Sequence, residues 1–265
     1  MMNELENKII FEQFSTQRVI IAGPCAVESG EQINRLARKL NNIGIKFFRA
    51  GAFKPRTSPK TFQGLGNEGL QLIRHAASEN GLYAVSEIMD NGELENCYDL
   101  IDVIQIGSRS MASSGFLKRI GKATAKDQKP VLLKRGFNAT VQELLYAAEY
   151  ISNEGNPNII LCLRGIRTFE QIDSTMRFTP DLASILELKE KTGLPVLFDP
   201  SHSSGDAKYV AQLSKAALML GADGLLIEVH DEPGKALSDG RQSILPEVLK
   251  EIIEFSKSFN NSNQK

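Results

Sequence analysis

The chain has 265 residues, 42% of them hydrophobic and 24% charged, enough for one large domain with a substantial core. Its 31 lysines and arginines against 32 acidic residues leave a formal net charge of -1, which argues against a nucleic-acid binder held by bulk positive charge. Three cysteines, Cys25, Cys97 and Cys162, are too few for a disulfide framework and point to a reducing compartment.

The first residues lack a basic start followed by an apolar stretch, so no signal peptide is expected. No apolar run approaches the ~18 residues of a membrane helix. A cytoplasmic protein is the expectation, with neither membrane nor nucleic acid as partner.

Along the chain, short β-branched or apolar runs alternate with amphipathic stretches. The first run, Val19–Gly23, precedes a helical pattern over Gln32–Ile43, whose Ile33, Leu36, Ala37, Leu40 and Ile43 share one face. Next come a run at Ile45–Arg49, a helix over Leu70–Ser78, and runs at Leu82–Glu87, Ile101–Ile106 and Pro130–Lys134. A helix over Val141–Ile151, a run at Asn158–Leu163 and a helix over Leu182–Lys191 follow. The chain closes with a run at Pro195–Asp199, a helix over Ala207–Leu220, a run at Gly224–Val229 and a helix over Pro246–Phe259.

Several runs, such as Val131-Leu132-Leu133 and Ile159-Ile160-Leu161, are apolar throughout, as strands buried on both faces are. Gly44, Gly81, Gly193 and Gly221 stand between a helix and the next strand, where a left-handed cap would turn the chain back into the sheet. Eight such units in about 250 residues predict an α/β fold, a (β/α)8 TIM barrel in one domain. Residues 1–18 are then a short N-terminal extension and 258–265 a frayed polar tail. A doubly wound open sheet is the alternative, but the first strand-to-helix turn, Gly23–Gly30, lacks GxGxxG.

In such a barrel, chemistry sits at the C-terminal ends of the strands. Two coherent sets of residues fall there. Cys25, His202, Glu228 and Asp239 are ordinary ligands for a divalent transition metal, and their mixed S/N/O character suits Mn, Fe, Co or Zn without selecting one. Each alone has a plainer reading, the cysteine as a small core residue and the histidine as a satisfied hydrogen-bonder. Their coincidence at adjacent strand ends favours the metal. Cys97 and Cys162 lack such neighbours and read as core.

The second set is Arg49, Lys54, Arg56, Arg109, Lys134 and Arg164. Cations converging on one mouth repel unless anions neutralise them, and phosphate or carboxylate groups do so through charge-assisted hydrogen bonds. Metal plus anion cluster points to small phosphorylated substrates, with the metal as Lewis acid on a carbonyl.

Several motifs then resemble those of the type I 3-deoxy-D-arabino-heptulosonate 7-phosphate (DAHP) synthases. They are Ala22-Gly23-Pro24-Cys25, Gly51–Pro59 with Phe62–Gly66, Leu133–Gly136, Arg164–Glu170, Phe198–Gly205, Ile227–His230 and Ser238–Gly240. The resemblance runs in order from about Val19 to about Ile252. It implies a metal-dependent aldol-type condensation of phosphoenolpyruvate with erythrose 4-phosphate, releasing phosphate, at the entry to the shikimate pathway. Cys25, His202, Glu228 and Asp239 match the family's metal ligands.

Arg109 and Arg164 match its phosphoenolpyruvate phosphate clamp, with Arg49, Lys54 and Lys134 near the carboxylate and reacting carbon. Arg56 and Thr57, with Ser58 beside them, match the residues that hold the aldose phosphate. Glu87 and Lys134 are candidates for positioning the water that adds at C2. Lys54, Lys134, Glu87, Cys25 and His202 thus form the implied catalytic set.

The sister family, which makes 3-deoxy-D-manno-octulosonate 8-phosphate from arabinose 5-phosphate, carries Lys-Ala-Asn-Arg-Ser-Ser where this chain has Lys54-Pro55-Arg56-Thr57-Ser58. A barrel that binds sugar phosphates without turnover is a further alternative, one that would be expected to lose a ligand or Lys134. Departures from the heptulosonate pattern are Leu163 in Cys162-Leu163-Arg164-Gly165 and Ser108 and Ser110 around Arg109. Both clamp arginines are kept. With so little chain outside the barrel, weak feedback inhibition by phenylalanine or tyrosine is expected. The resemblance also implies a homo-oligomer, a dimer or tetramer.

Overall fold

The computed structural model describes residues 3–54, 60, 62–170 and 178–262. Eight parallel strands close into a barrel in sequence order: β1 (Val19–Gly23), β2 (Phe47–Arg49), β3 (Tyr83–Glu87), β4 (Val103–Ile106), β5 (Val131–Lys134), β6 (Ile159–Leu163), β7 (Val196–Phe198) and β8 (Gly224–Glu228). β8 pairs back onto β1 from Val19↔Gly224 to Gly23↔Glu228. That closure excludes the open sheet. No helix among the described residues is long and apolar enough to cross a membrane.

The helices are α1 (Glu4–Thr16), α2 (Gly30–Asn42), α3 (Gly66–Glu79), α4 (Asn91–Cys97), α5 (Ser114–Ala125), α6 (Val141–Ser152), α7 (Ala183–Lys191), α8 (Pro200–Ser204), α9 (Ala207–Met219) and α10 (Pro246–Ser262). Four of these, α1, α4, α5 and α8, are not among the predicted elements. α10 also continues to Ser262, into the stretch read as a frayed tail. Gly44, Gly81 and Gly221 have the expected positive φ. Gly193 does not, because α7 ends on Thr192 in an extended conformation and the turn needs no left-handed residue.

The two-residue period of a strand sorts the side chains into two layers. Ala22, Phe48, Ala84, Ile104, Leu133, Leu161, Phe198 and Ile227 face outward onto the helices. Val19, Ile21, Phe47, Val85, Val103, Leu132, Ile160, Cys162, Leu197 and Leu226 fill the barrel itself. α1 closes the N-terminal end of that inner core. Its start is fixed by a reciprocal capping box between Asn3 and Glu6. It buries Ile10 and Phe14, the latter 4.7 Å from the ring of Phe47. Removing two such side chains from water stabilises the fold by about 1.5–3 kcal/mol each.

Candidate active site

Continuing the inward parity by one more step toward the strand C-termini changes the chemistry from apolar to charged. Phe47 is followed by Arg49, Val85 by Glu87, Val103 by Gln105, Leu132 by Lys134, Cys162 by Arg164, Leu197 by Asp199 and Leu226 by Glu228. The barrel that packs a dry core below therefore lifts a ring of polar groups to its mouth. A cavity of about 280 Å³ opens there, and its walls include Arg49, Lys54, Glu87, Arg109, Lys134, Arg164, His202 and Asp239. Arg56, Thr57 and Ser58 lie outside the described residues.

Behind Asp239 in the cavity wall, Cys25, Glu228 and Asp239 bring donor atoms within 4.8 Å of one another. The Cys25 thiol lies 3.0 Å from Asp239 Oδ2 and 3.0 Å from Ser238 Oγ, and Lys54 Nζ donates to its sulfur at 2.9 Å. Burial, then the negative charges of Glu228 and Asp239, push this thiol up to about 12 against the opposing pull of Lys54 and Arg49. Glu228 Oε1 accepts from Arg49 at 3.0 Å and Oε2 from Gln242 at 2.6 Å. Burial opposes its charge, but His202, Arg49 and Lys54 overcome this and hold its carboxyl below the usual range.

His202 stands slightly outside the three-residue cluster, with Nε2 3.5 Å from Glu228 Oε1. Its other nitrogen is held by Asp199, whose Oδ2 meets Nδ1 at 2.7 Å and whose Oδ1 accepts from the His202 backbone N–H at 2.9 Å. The same Oδ2 accepts from Lys134 Nζ at 2.5 Å. Asp199 is fully buried, and burial disfavours its charge; the facing His202 and Lys134 nevertheless keep its carboxyl well below the ordinary range.

The residues fit a divalent metal. A thiol and two carboxylates converge, so a cation placed among them replaces their mutual repulsion with attraction and draws the proton from sulfur. With Nδ1 held by Asp199, Nε2 is the nitrogen of His202 that would ligate a metal, and the Asp199 contact is the usual second hydrogen bond of a ligating histidine.

The upper wall is cationic and aromatic. The Arg164 guanidinium lies 3.8 Å over the Phe178 ring and 5.0 Å from that of Phe137. Phe137 and Phe178 stack at 5.3 Å. Arg109 and Arg167 approach the Phe137 ring at 5.5 and 5.9 Å. A guanidinium stacked by its face keeps its N–H donors around the rim, the geometry that suits phosphate. Glu87 sits opposite, accepting from Gln105 at 3.0 Å. Gly107 leaves room for it, since a Cβ there would come within 1.9 Å of Glu87 Oε1 and displace that carboxylate.

Sequence reasoning left Asp199 without a role and missed Ser238, Gln242, Phe137, Phe178 and Arg167. Asp199 had a readable signal: aspartate, then proline, with histidine three residues on, is an N-cap whose side chain takes the His202 N–H. The others depend on loop geometry that no spacing encodes. Leu163, one of the departures, faces outward and is buried against the helix layer, so the mouth is untouched by it. Cys97 and Cys162 are buried core, as expected.

The family model for the DAHP synthetase I family matches residues 6–265. The chain belongs to that family. It is 47% identical over 238 residues to the phospho-2-dehydro-3-deoxyheptonate aldolase of Thermotoga maritima, covering 90% of this chain and 68% of that protein. The crystal structure of the Thermotoga maritima DAHP synthase superposes with a TM-score of 0.87 at 46% identity, over 93% of this chain and 70% of the other. The 2-dehydro-3-deoxyphosphooctonate aldolase of Geotalea uraniireducens is more distant, 32% identical over 88% of this chain and 90% of its own length. The ring of charge at the barrel mouth is thus the candidate active site of a DAHP synthase family enzyme.

Proposed function

We propose that this enzyme condenses phosphoenolpyruvate with erythrose 4-phosphate to give DAHP and inorganic phosphate, with a divalent metal held by Cys25, His202, Glu228 and Asp239. The observation that carries the reading is that His202 and Asp239 share one cavity with the arginine-rich wall, and that the Cys25 and Glu228 donor atoms lie within 4.8 Å of that of Asp239. A phosphate at Arg109 and Arg164, with a carboxylate near Arg49, Lys54 and Lys134, would set the enol carbon over the donor cluster. Arg56, Thr57 and Ser58 would hold the aldose phosphate.

When bound, the metal would polarise the aldehyde carbonyl. The C–C bond forms between phosphoenolpyruvate C3 and the aldehyde carbon, whose oxygen takes up a proton. Water then adds at C2, and loss of phosphate leaves the ketone. Lys134, fixed by Asp199, and Glu87, fixed by Gln105, flank the space for that water. Glu87 would accept its proton and Lys134 would neutralise the charge that builds at C2.

The test is phosphoenolpyruvate consumption by purified protein with erythrose 4-phosphate or arabinose 5-phosphate, each with and without a chelator. Chelator-sensitive consumption with the four-carbon sugar alone is expected. Consumption with the pentose would move the protein to the octulosonate reaction, and consumption with neither would leave a binding protein.

A further inference from the structure

We propose that Glu28, which lies outside the catalytic set, is a positioning residue that locks the Asp239 loop onto the Cys25 loop and thereby sets the affinity of the metal site. Glu28 follows Cys25 by three residues on the loop leaving β1. Its Oε1 accepts the backbone N–H of Leu237 at 2.7 Å, across 209 residues of chain. The two residues after Leu237 are Ser238 and Asp239, both 3.0 Å from the Cys25 sulfur. Residues 25–28 and 237–239 therefore lie against each other as two short segments, fastened at one end by the Glu28 carboxylate and carrying two donors of the metal cluster at the other.

The fastening matters because Asp239 is held in the left-handed region, which non-glycine residues enter only at isolated positions, aspartate more readily than most. Its dihedrals are φ 50° and ψ 31°. Such a residue persists only where its surroundings fix it. Downstream, the Gln242 backbone N–H and the Ser243 hydroxyl donate to the Asp239 carbonyl at 3.2 Å each. Upstream, the Leu237–Glu28 bond is the corresponding tie.

Beside Glu28 lies His230, a buried residue without a place in the catalytic set. His230 Nδ1 accepts the Glu232 backbone N–H at 2.9 Å, and its Nε2 lies 3.6 Å from Glu28 Oε2, a packing contact rather than a hydrogen bond. Its backbone N–H is bonded to Ile244 O, whose own N–H is bonded to Glu228 O. Backbone hydrogen bonds thus join Glu228 to His230 through Ile244, while the Glu28–Leu237 bond joins the Cys25 and Asp239 loops, all through residues that touch no reacting atom.

This inference rests on the metal reading above, and its test separates the two. Cobalt or manganese affinity is measured by equilibrium dialysis on the wild type, E28A and E28Q, with circular dichroism and melting temperature as controls for folding. Wild type binds one ion, E28A binds about 10–100-fold more weakly, the effect typical of an outer-shell partner, and E28Q, which keeps a carbonyl oxygen for Leu237, stays within a few-fold of wild type. E28D keeps the charge but is one methylene too short, and it shows the same loss if E28A folds poorly. Equal metal affinity in wild type, E28A and E28D, or a melting shift with no change in affinity, overturns this proposal alone. A wild type that binds no metal overturns both.

Discussion

Asp199 ties together two residues of the candidate site. One of its oxygens receives both Lys134 and His202, so the lysine on β5 and the histidine on α8 are set by a single carboxylate. Asp199→Asn keeps the shape but removes the charge, leaving Lys134 buried without its counter-ion. The expected result is a fall in kcat of at least about 100-fold and a metal affinity weaker by roughly 10–100-fold, read by initial rates and metal titration. Near wild-type values for both would refute the hub. Gly107→Ala tests the opposite wall: its methyl collides with Glu87, so kcat falls while fold and metal affinity stay. Polar groups at strand ends were legible from sequence because an apolar run ending in a charge is easy to read. The loop partners Phe137, Gln242 and Glu28 were not legible, because contacts between loops far apart in sequence leave no periodic trace.

At the level of elements, strands buried on both faces are apolar over most of their length, and that made all eight visible. Of the helices missed, α5 has a regular buried face (Phe116, Leu117, Ile120, Gly121, Thr124) that was there to be read, whereas α1 and α4 offer less. α4 has seven residues and no room for a repeating face. α1 buries only Asn7, Ile10 and Phe14, because it plugs the barrel end rather than lying along the sheet. Phe14→Ala therefore empties a site against Phe47 and should cost about 3–5 kcal/mol of stability, visible in denaturant melts, while kcat and KM hold in the protein that remains folded. A comparable loss of kcat would mean the plug and the mouth are coupled through the inner core. α2 is tied to the loop after β8 by Asp231, whose carboxyl receives Arg35 at 2.6 Å and lies 3.6 Å from Lys39. Burial disfavours its charge, yet Arg35 and Lys39 hold the carboxyl below the ordinary range. A depressed folded-state value stabilises the protein above the unfolded carboxylate range and is lost on acidification. Asp231→Asn should therefore be less stable than wild type at pH 6, with the gap closing below about pH 4. A gap independent of pH would assign the effect to packing instead.

Across the whole molecule, near-neutral charge and a strongly cationic mouth are two sides of one arrangement. With a formal net charge of -1, the protein offers anions no long-range attraction as a body. Arg49, Lys54, Arg109, Lys134, Arg164 and Arg167 nevertheless line one cavity whose low-dielectric walls focus their field. Capture of a phosphorylated substrate is then electrostatic at short range, whereas the bonded complex is screened far less. Raising ionic strength from about 0.1 M to about 1 M shortens the Debye length from about 10 Å to about 3 Å. The KM for phosphoenolpyruvate should rise several-fold over that range with kcat changed less than two-fold, measured with a salt whose anion is not itself a phosphate mimic. A KM indifferent to salt would mean that the arginines act only once the substrate is in place, as orienting groups, and that encounter is governed by the shape of the cavity alone.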